Sequence, residues 1–275
     1  MDGGETKMLS ALKSANRLWQ SPVSGVLQYA IVMVGLVWLT IEGAAGMGYN
    51  WQWYQIPRYF YRVVDGDLIW GTLATGLVIT IEISLYSMLL TLALGLLTAL
   101  LRMSNSLSGQ VLARVYLETI RNTPMLVQIY VFYFVIAPVL GIDRFWTGVL
   151  CLGLFEGSFA SEIIRAGINS VPRGQWEAAS SVGLSRFSSY RYVVLPQAIP
   201  LMLPPMTGVL INLIKHSAIV SVIAVFELTT EGRNIIADTY MAFEVWLTVA
   251  GIYLVLTISL SIFVGYLERR LRQPA

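Results

Sequence analysis

Residues 172–196 read PRGQWEAASSVGLSRFSSYRYVVLP and lie between two long apolar stretches. The apolar runs in this segment are too few and too short for another membrane span. Four apolar positions recur at roughly helical spacing: Trp176, Ala179, Val182 and Leu184. Pro172 near the start and Gly183 at the end are residue types that commonly bound a helix. The segment therefore predicts a short surface helix at about 173–185.

The side chains of this surface helix suit contact with another protein. Ala178 and Ala179 are small enough for a second backbone to approach closely, and Glu177 offers a carboxylate to an arginine of a partner. We interpret the segment as a docking helix.

The rest of the chain has the composition of a membrane protein. Of its 275 residues, 56% are hydrophobic and 12% are charged, whereas about 25% of a typical globular domain is charged. A membrane helix needs about 20 mostly apolar residues. Polar segment 111–124 can extend the third stretch as one helix, although Thr123 and Pro124 also fit the cap and the first position of a separate helix. The sequence predicts an all-α polytopic membrane protein with about six spans, at 27–46, 73–101, 125–140, 147–166, 193–214 and 246–267.

The same composition argues against several functions. The net charge is only +2, and no basic run is long enough to bind nucleic acid. A single cysteine, Cys151, and a single histidine, His216, do not supply a metal cluster. We interpret His216 as a structural residue rather than a proton switch. We expect no removable signal peptide in residues 1–20, because they lack a short apolar core followed by a small-residue cleavage site.

Lysine and arginine are distributed unevenly between the two sides of six spans. One side holds only Arg58, Arg62, Arg144 and Arg233. The other holds thirteen basic residues: Lys7, Lys13, Arg17, Arg102, Arg114, Arg121, Arg165, Arg173, Arg186, Arg191, Arg269, Arg270 and Arg272. By the positive-inside rule both termini are cytoplasmic. The segment from Tyr49 to Trp70 is rich in Trp and Tyr, which predicts that it lies at the outer membrane interface.

The docking segment resembles the hallmark of the membrane permease subunits of ABC importers. That hallmark is Glu-Ala-Ala, three residues, Gly, nine residues, Ile, any residue, Leu-Pro. This chain has Glu177-Ala178-Ala179, then Gly183, then Val193 and Leu195-Pro196, so only the Ile is changed. In that family the segment is the coupling helix, which inserts into the ATPase subunit. The resemblance assigns ATPase coupling to Gln175, Glu177, Ala178, Ala179 and Gly183.

Three further segments are similar to the branch that imports polar amino acids. They are residues 116–128, 162–168 and 212–229, and the whole resemblance covers about 71–270. It implies a five-helix type I importer domain over 71–270. The cytoplasmic tail, an extra helix of unassigned role and the outer segment precede it at 1–70. It also implies four partners besides the lipid bilayer: an ATPase dimer, a second permease chain, a periplasmic amino-acid-binding protein and the amino-acid substrate.

The chain contains no phosphate-binding pattern of the form G-x-x-x-x-G-K-[ST]. We therefore expect that it is not an enzyme and carries no cofactor of its own. ATP and Mg²⁺ would belong to the partner ATPase, and coupling would be mechanical.

Ionisable residues inside membrane spans are costly and are candidates for a substrate pathway. Glu42, Glu82, Glu156 and Lys215 qualify, although Glu42 lies near a span end. Glu156 and Lys215 either contact the substrate or form an ion pair that holds the bundle. Gly153, Gly157 and Ser161 predict close helix packing beside Glu156. The family-like segments add three pathway candidates: Gln128, Asn212 and Ser217.

A possible gate lies near the inner face, where Glu118 and Glu162 are expected to pair with Arg121 and Arg165. Two alternatives to an amino-acid permease stay open at this point. One is a permease for another small solute. The other is a membrane sensor or channel that works without an ATPase.

Overall fold

The structure is a computed structural model that describes residues 22–271. Most of the predicted tail charges, including Lys7, Lys13, Arg17 and Arg272, lie outside the described residues, as does the prediction about a signal peptide in residues 1–20. The chain divides into two units, with the division between Trp51 and Gln52. The described part of the first unit contains helix α1, Pro22–Gly46. Its section Ser24–Gly43 is long and apolar enough to cross a membrane, in agreement with the first predicted span.

The second unit is a helical bundle preceded by a short outer segment. A 3₁₀ helix, Trp53–Tyr59, leads into a hairpin of strands β1 (Tyr61–Val64) and β2 (Asp67–Trp70), paired antiparallel with Tyr61 opposite Trp70. The helices of the bundle are α2 (Thr72–Met103), α3 (Leu107–Arg121), α4 (Met125–Leu140), α5 (Arg144–Asn169), α6 (Arg173–Ser181), α7 (Arg186–Ile223), α8 (Leu228–Thr239) and α9 (Ala242–Leu271).

Helices α4 and α7 contain changes of helix type. Residues Phe132–Ile136 of α4 and Tyr190–Val194 of α7 are π-helical, and α7 ends in a 3₁₀ segment, Ser217–Ile223. Among the described residues, five helices are suited to crossing a membrane, or six if α3 and α4 together form one bent span. The predicted all-α membrane fold is therefore confirmed, with the β1–β2 hairpin as an addition.

The prediction of one helix over 111–140 is wrong. Helix α3 ends at Arg121, and α4 begins at Met125 after a bend of 107°. Pro124 is the reason, because it lacks a backbone N–H and disfavours helical geometry in the residue before it. Pro124 itself is extended, with φ −61° and ψ 135°.

Small residues bring α2 and α5 into close contact. A Cβ added at Gly153 would lie 2.6 Å from Leu90 Cδ2, and one added at Gly95 would lie 2.9 Å from Ala160 Cβ. The Thr91 hydroxyl donates a hydrogen bond of 3.4 Å to the Gly153 carbonyl. Small side chains, and hydroxyl side chains that hydrogen-bond to the neighbouring helix, allow two helices to pack closely. The close packing predicted around Glu156 is thus confirmed.

The outer segment belongs to the bundle rather than to α1. Gly71 N–H donates to Phe60 O at 2.9 Å, and Gln52 N–H donates to the Glu244 carboxylate at 2.6 Å. These hydrogen bonds fix segment 52–70 to Gly71, at the N-cap of α2, and to α9.

Candidate functional sites

The predicted surface helix is α6, and its ends lie where the sequence indicates. Pro172 occupies the N-cap position. Gly183 adopts a left-handed conformation with φ +79°, which a side chain would strain. Its N–H donates to Ser180 O at 3.0 Å, and the next N–H, of Leu184, donates to Ala179 O at 3.1 Å. The helix is therefore closed by a glycine turn of the expected kind.

Helix α6 has a buried face and an exposed face. Ala179 is only 3% exposed, and the half-buried Trp176 ring packs edge-on against Tyr190 with centroids 5.0 Å apart. Glu177 and Ala178 are exposed. Gln175 is exposed too, and its side-chain oxygen lies 3.4 Å from Gln197 Nε2. Within the predicted coupling set, Ala179 thus anchors α6 to its own chain, while the exposed residues are free to contact a partner.

Glu156 on α5 forms a buried hydrogen-bonded pair with a histidine of α7. Its side chain is 2% exposed, and its Oε1 lies 2.8 Å from Nδ1 of His216 on α7, which is 33% exposed. The Phe155 ring packs edge-on against the His216 ring, with centroids 5.8 Å apart. A buried carboxylate requires such a partner, because removal of a charge from water is costly. The sequence motifs do not indicate His216 as this partner, although it directly follows Lys215, the candidate that they do indicate.

Lys215 does not fill the partner role, because neighbouring residues on a helix point in directions about 100° apart. Lys215 and Asn212 are both exposed, as is Glu82 on α2. Glu42 is exposed on α1. In the part of the chain that the structure describes, neither Lys215 nor Glu82 forms an ion pair. The structure thus does not bring Lys215, Asn212 or Glu82 to Glu156.

Gln128 and Ser217 are buried but are engaged with backbone groups. The Gln128 amide nitrogen donates to Ile120 O at 2.7 Å and to Thr123 O at 2.9 Å, which braces the bend between α3 and α4. Its Oε1 has no hydrogen-bond partner among the described residues. The Ser217 hydroxyl donates to Ile214 O at 2.6 Å.

A second charged cluster surrounds Glu162, further along α5. Glu162 binds Arg102 at the end of α2, lies 3.4 Å from Arg121 at the end of α3 and lies 2.9 Å from Arg165 on its own helix. The predicted Glu162–Arg165 pair is confirmed. The predicted Glu118–Arg121 pair is wrong, because Arg121 bonds Glu162 and the Ser158 carbonyl instead.

Glu118 accepts a hydrogen bond of 2.8 Å from Asn122. The sequence analysis did not include Arg102 in the cluster. The signal in the sequence is that Arg102 directly follows the apolar stretch 73–101. The Glu162 cluster therefore joins the ends of α2, α3 and α5.

Two further buried carboxylates have structural roles that the sequence analysis did not assign. Glu227 accepts the N–H groups of Thr229 and Thr230, both at 2.8 Å, and so caps α8. Burial raises the pKa of this carboxyl group above its ordinary value. Glu244 is fully buried and accepts the Gln52 N–H.

The chain is similar to known membrane transport proteins. Residues 91–273 match the family described as binding-protein-dependent transport system inner membrane component. A probable glutamine ABC transporter permease protein of Bacillus subtilis is 40% identical over 181 residues, which is 66% of this chain and 84% of the relative. An L-cystine transport system permease protein of the same organism is 37% identical over 204 residues, 74% of this chain and 87% of the relative.

A solved structure shows the same fold at higher coverage. It is described as an amino acid ABC transporter with histidines, and it is 34% identical with a TM-score of 0.71. The match covers 81% of this chain and 100% of the solved chain. Residues 91–273 contain α6, the Glu156–His216 pair and the Glu162 cluster.

Proposed function

The chain belongs to the family of binding-protein-dependent transport system inner membrane components, and we infer its function from this membership. It is the permease subunit of an ABC importer in the inner membrane, with amino acids as its substrate class. We propose a polar amino acid as the specific cargo. The relatives named for glutamine and for cystine support this class, because both substrates combine the charged ends of an amino acid with further polar groups.

The observation that carries the coupling proposal is the exposed face of α6. Gln175, Glu177 and Ala178 stand out from the chain, while Ala179 and the Trp176 ring hold the helix against it. We propose that this face docks into an ATPase subunit, one for each of two permease chains. ATP and Mg²⁺ bind to the ATPases, and their closure moves α6 and switches the bundle between inward-open and outward-open states. A periplasmic binding protein delivers the substrate, and both termini lie in the cytoplasm.

We propose Glu156 as the centre of the substrate pathway. A buried carboxylate whose partner is a histidine can exchange that partner for the ammonium group of an amino acid. A protonated His216, which is one-third exposed, would release its proton to water as the ammonium group binds Glu156, so the exchange leaves the histidine neutral and does not strand a second charge in the membrane. Lys215, adjacent to His216, is proposed to meet the substrate carboxylate. Asn212, Ser217, Gln128 and Glu82 are proposed to line other parts of the route.

The Glu162 cluster is proposed as the inner gate. Its arginines come from α2, α3 and α5, so helix separation at this end must break at least one ion pair. Because each pair is about one-third exposed, breaking it costs less than it would in a dry core. A gate that opens in every transport cycle needs contacts of this moderate strength.

The test of the coupling proposal is purification of the tagged chain in mild detergent, followed by mass spectrometry. Glu177→Arg is compared with wild type and with Asp238→Arg, which reverses an exposed charge on α8. We expect an ATPase to accompany wild type and Asp238→Arg and to be lost or strongly depleted with Glu177→Arg. If no ATPase accompanies wild type after crosslinking, the coupling role of α6 is refuted.

A further inference from the structure

A polar cavity of about 350 Å³ lies beside the Glu162 cluster. Its lining includes Arg102, Arg114 and Arg121 together with Glu118 and Glu162. Three arginines and two carboxylates therefore line this space, and Arg165, which does not line it, also binds Glu162. Both Glu162 oxygens are already engaged by arginines. Among the described residues, Arg114 has no hydrogen-bond or ion-pair partner. The cavity therefore has an excess of positive charge and spare N–H donors.

The wall of this cavity formed by α3 borders an apolar surface. Leu107, Val111 and Val115 follow one another at intervals of four and form a row on the helix, 78%, 52% and 57% exposed. The residues of α3 buried in the protein are on another face: Gly109, Ala113, Leu117 and Ile120. At 100° per residue, three cavity-lining positions of α3 (110, 114 and 121) fall between the buried face and the apolar row, and Glu118, which also lines the cavity, continues the row after Val115. Charge and apolar surface thus lie side by side.

The direction of α3 suits the surface of a bilayer. It makes an angle of 107° with α4, so when α4 crosses the membrane, α3 runs nearly parallel to its plane. The cavity lies at the end of α5 that leads into α6, and the proposed function makes this the cytoplasmic side. Anionic lipid head groups in the inner leaflet attract basic residues at this depth.

We propose that this cavity binds an anionic phospholipid of the inner leaflet. The phosphodiester receives hydrogen bonds from Arg114 and from unused N–H groups of Arg102 and Arg121, since a guanidinium matches phosphate oxygens in pairs. The acyl chains lie along Leu107, Val111 and Val115. This apolar row favours a lipid over a free phosphate ion, because a phosphate ion has no apolar part that could cover the row. The lipid clamps α3 beside the Glu162 cluster, and the location of the site on the inner leaflet rests on the proposed function.

The test is native mass spectrometry of the complete complex released from membranes that contain phosphatidylglycerol and phosphatidylcholine. Arg114→Gln is compared with wild type and with Arg191→Gln, which removes an exposed arginine on the same side but outside the cavity. We expect Arg114→Gln to lower the retained phosphatidylglycerol about fivefold, the factor for one arginine at an anionic surface. Arg191→Gln should retain it as wild type does. Equal retention in all three proteins, or no preference over phosphatidylcholine, overturns the proposal.

A second measurement identifies what covers the apolar row. Phosphatidylglycerol with a photoreactive acyl chain should crosslink to the peptide that contains Leu107, Val111 and Val115. If Val111→Cys instead forms a disulfide with a second permease copy and the crosslink is absent, the row is a protein interface and the lipid site is refuted. Co-purification of the ATPase in the same samples reports separately on the proposed function. Loss of the lipid signal alone therefore leaves the coupling role intact.

Discussion

Helix α5 carries two carboxylates, Glu156 and Glu162, in very different surroundings. They are six residues apart in the sequence, about 9 Å along the helix axis. Glu156 is 2% exposed and is paired with one histidine. Glu162 is 33% exposed and is bonded to three arginines.

The difference between these sites lies in the chemistry of the partner. An arginine stays charged at any physiological pH, so the contacts of the Glu162 cluster are broken only when the helices separate, not by loss of a proton. A histidine can give up its charge, so the Glu156 pair can be broken without leaving an isolated cation. The first arrangement is suited to holding helices together, whereas the second is suited to exchanging its partner for a substrate.

The largest expected effect concerns Glu156. Glu156→Gln keeps the size of the side chain and a hydrogen bond to His216 but removes the charge that would meet an ammonium group. A charge-assisted hydrogen bond contributes about 1.5–3 kcal/mol, so we expect amino-acid uptake by the reconstituted importer to fall about 10- to 100-fold. The ATPase should still co-purify with this variant.

The matched control for Glu156 is Glu231→Gln on α8. Glu231 is half-buried and lies outside the candidate spans, so its conversion to an amide should leave uptake near wild type. If Glu156→Gln takes up amino acid as fast as the control does, the Glu156–His216 pair is only a structural contact. The two sites on α5 would then not differ in function.

The next effect concerns the Glu162 cluster and should appear as lost stability. Glu162→Gln leaves Arg102, Arg121 and Arg165 close together without a carboxylate. Since the cluster is partly exposed, we expect a cost of about 1–2 kcal/mol, below the value of a fully buried pair. This corresponds to a fall of roughly 2–8 °C in the unfolding midpoint, measured in detergent.

Glu118→Gln is the control for the Glu162 cluster, because Glu118 bonds Asn122 and not an arginine of the cluster. Its unfolding midpoint should remain within about 2 °C of wild type. If both variants unfold at the wild-type temperature, the arginines do not hold the ends of α2, α3 and α5 together.

Local signals in the sequence were sufficient for the spans and for α6. Long apolar runs specify membrane helices because the bilayer leaves the backbone few alternatives. Pro172 and Gly183 fix the ends of α6 through their own backbone preferences. These features require no knowledge of what lies elsewhere in the chain.

The charged contacts were harder to predict because they depend on the rotation of helices about their axes. The choice between Lys215 and His216 as the partner of Glu156 depends on a turn of about 100°, which charge and hydropathy do not fix. Arg121 likewise bonds Glu162 on another helix instead of Glu118 on its own. Thr123 and Pro124 fit a helix start, but the bend of 107° between α3 and α4 does not follow from the polarity of residues 111–124.

The smallest expected effect concerns Gly183, which tests whether α6 acts independently of both sites on α5. Gly183→Ala places a side chain where φ is +79°, and the left-handed region costs an ordinary residue about 1–2 kcal/mol. We expect the end of α6 to fray and the affinity for the ATPase to fall about fivefold or more.

The control for Gly183→Ala is Ser180→Ala, an exposed substitution within the same helix, which should retain normal affinity. Because Gly183 lies outside α5, the amino-acid specificity of the remaining uptake should match wild type. Altered specificity would show instead that the geometry of α6 reaches the Glu156–His216 pair.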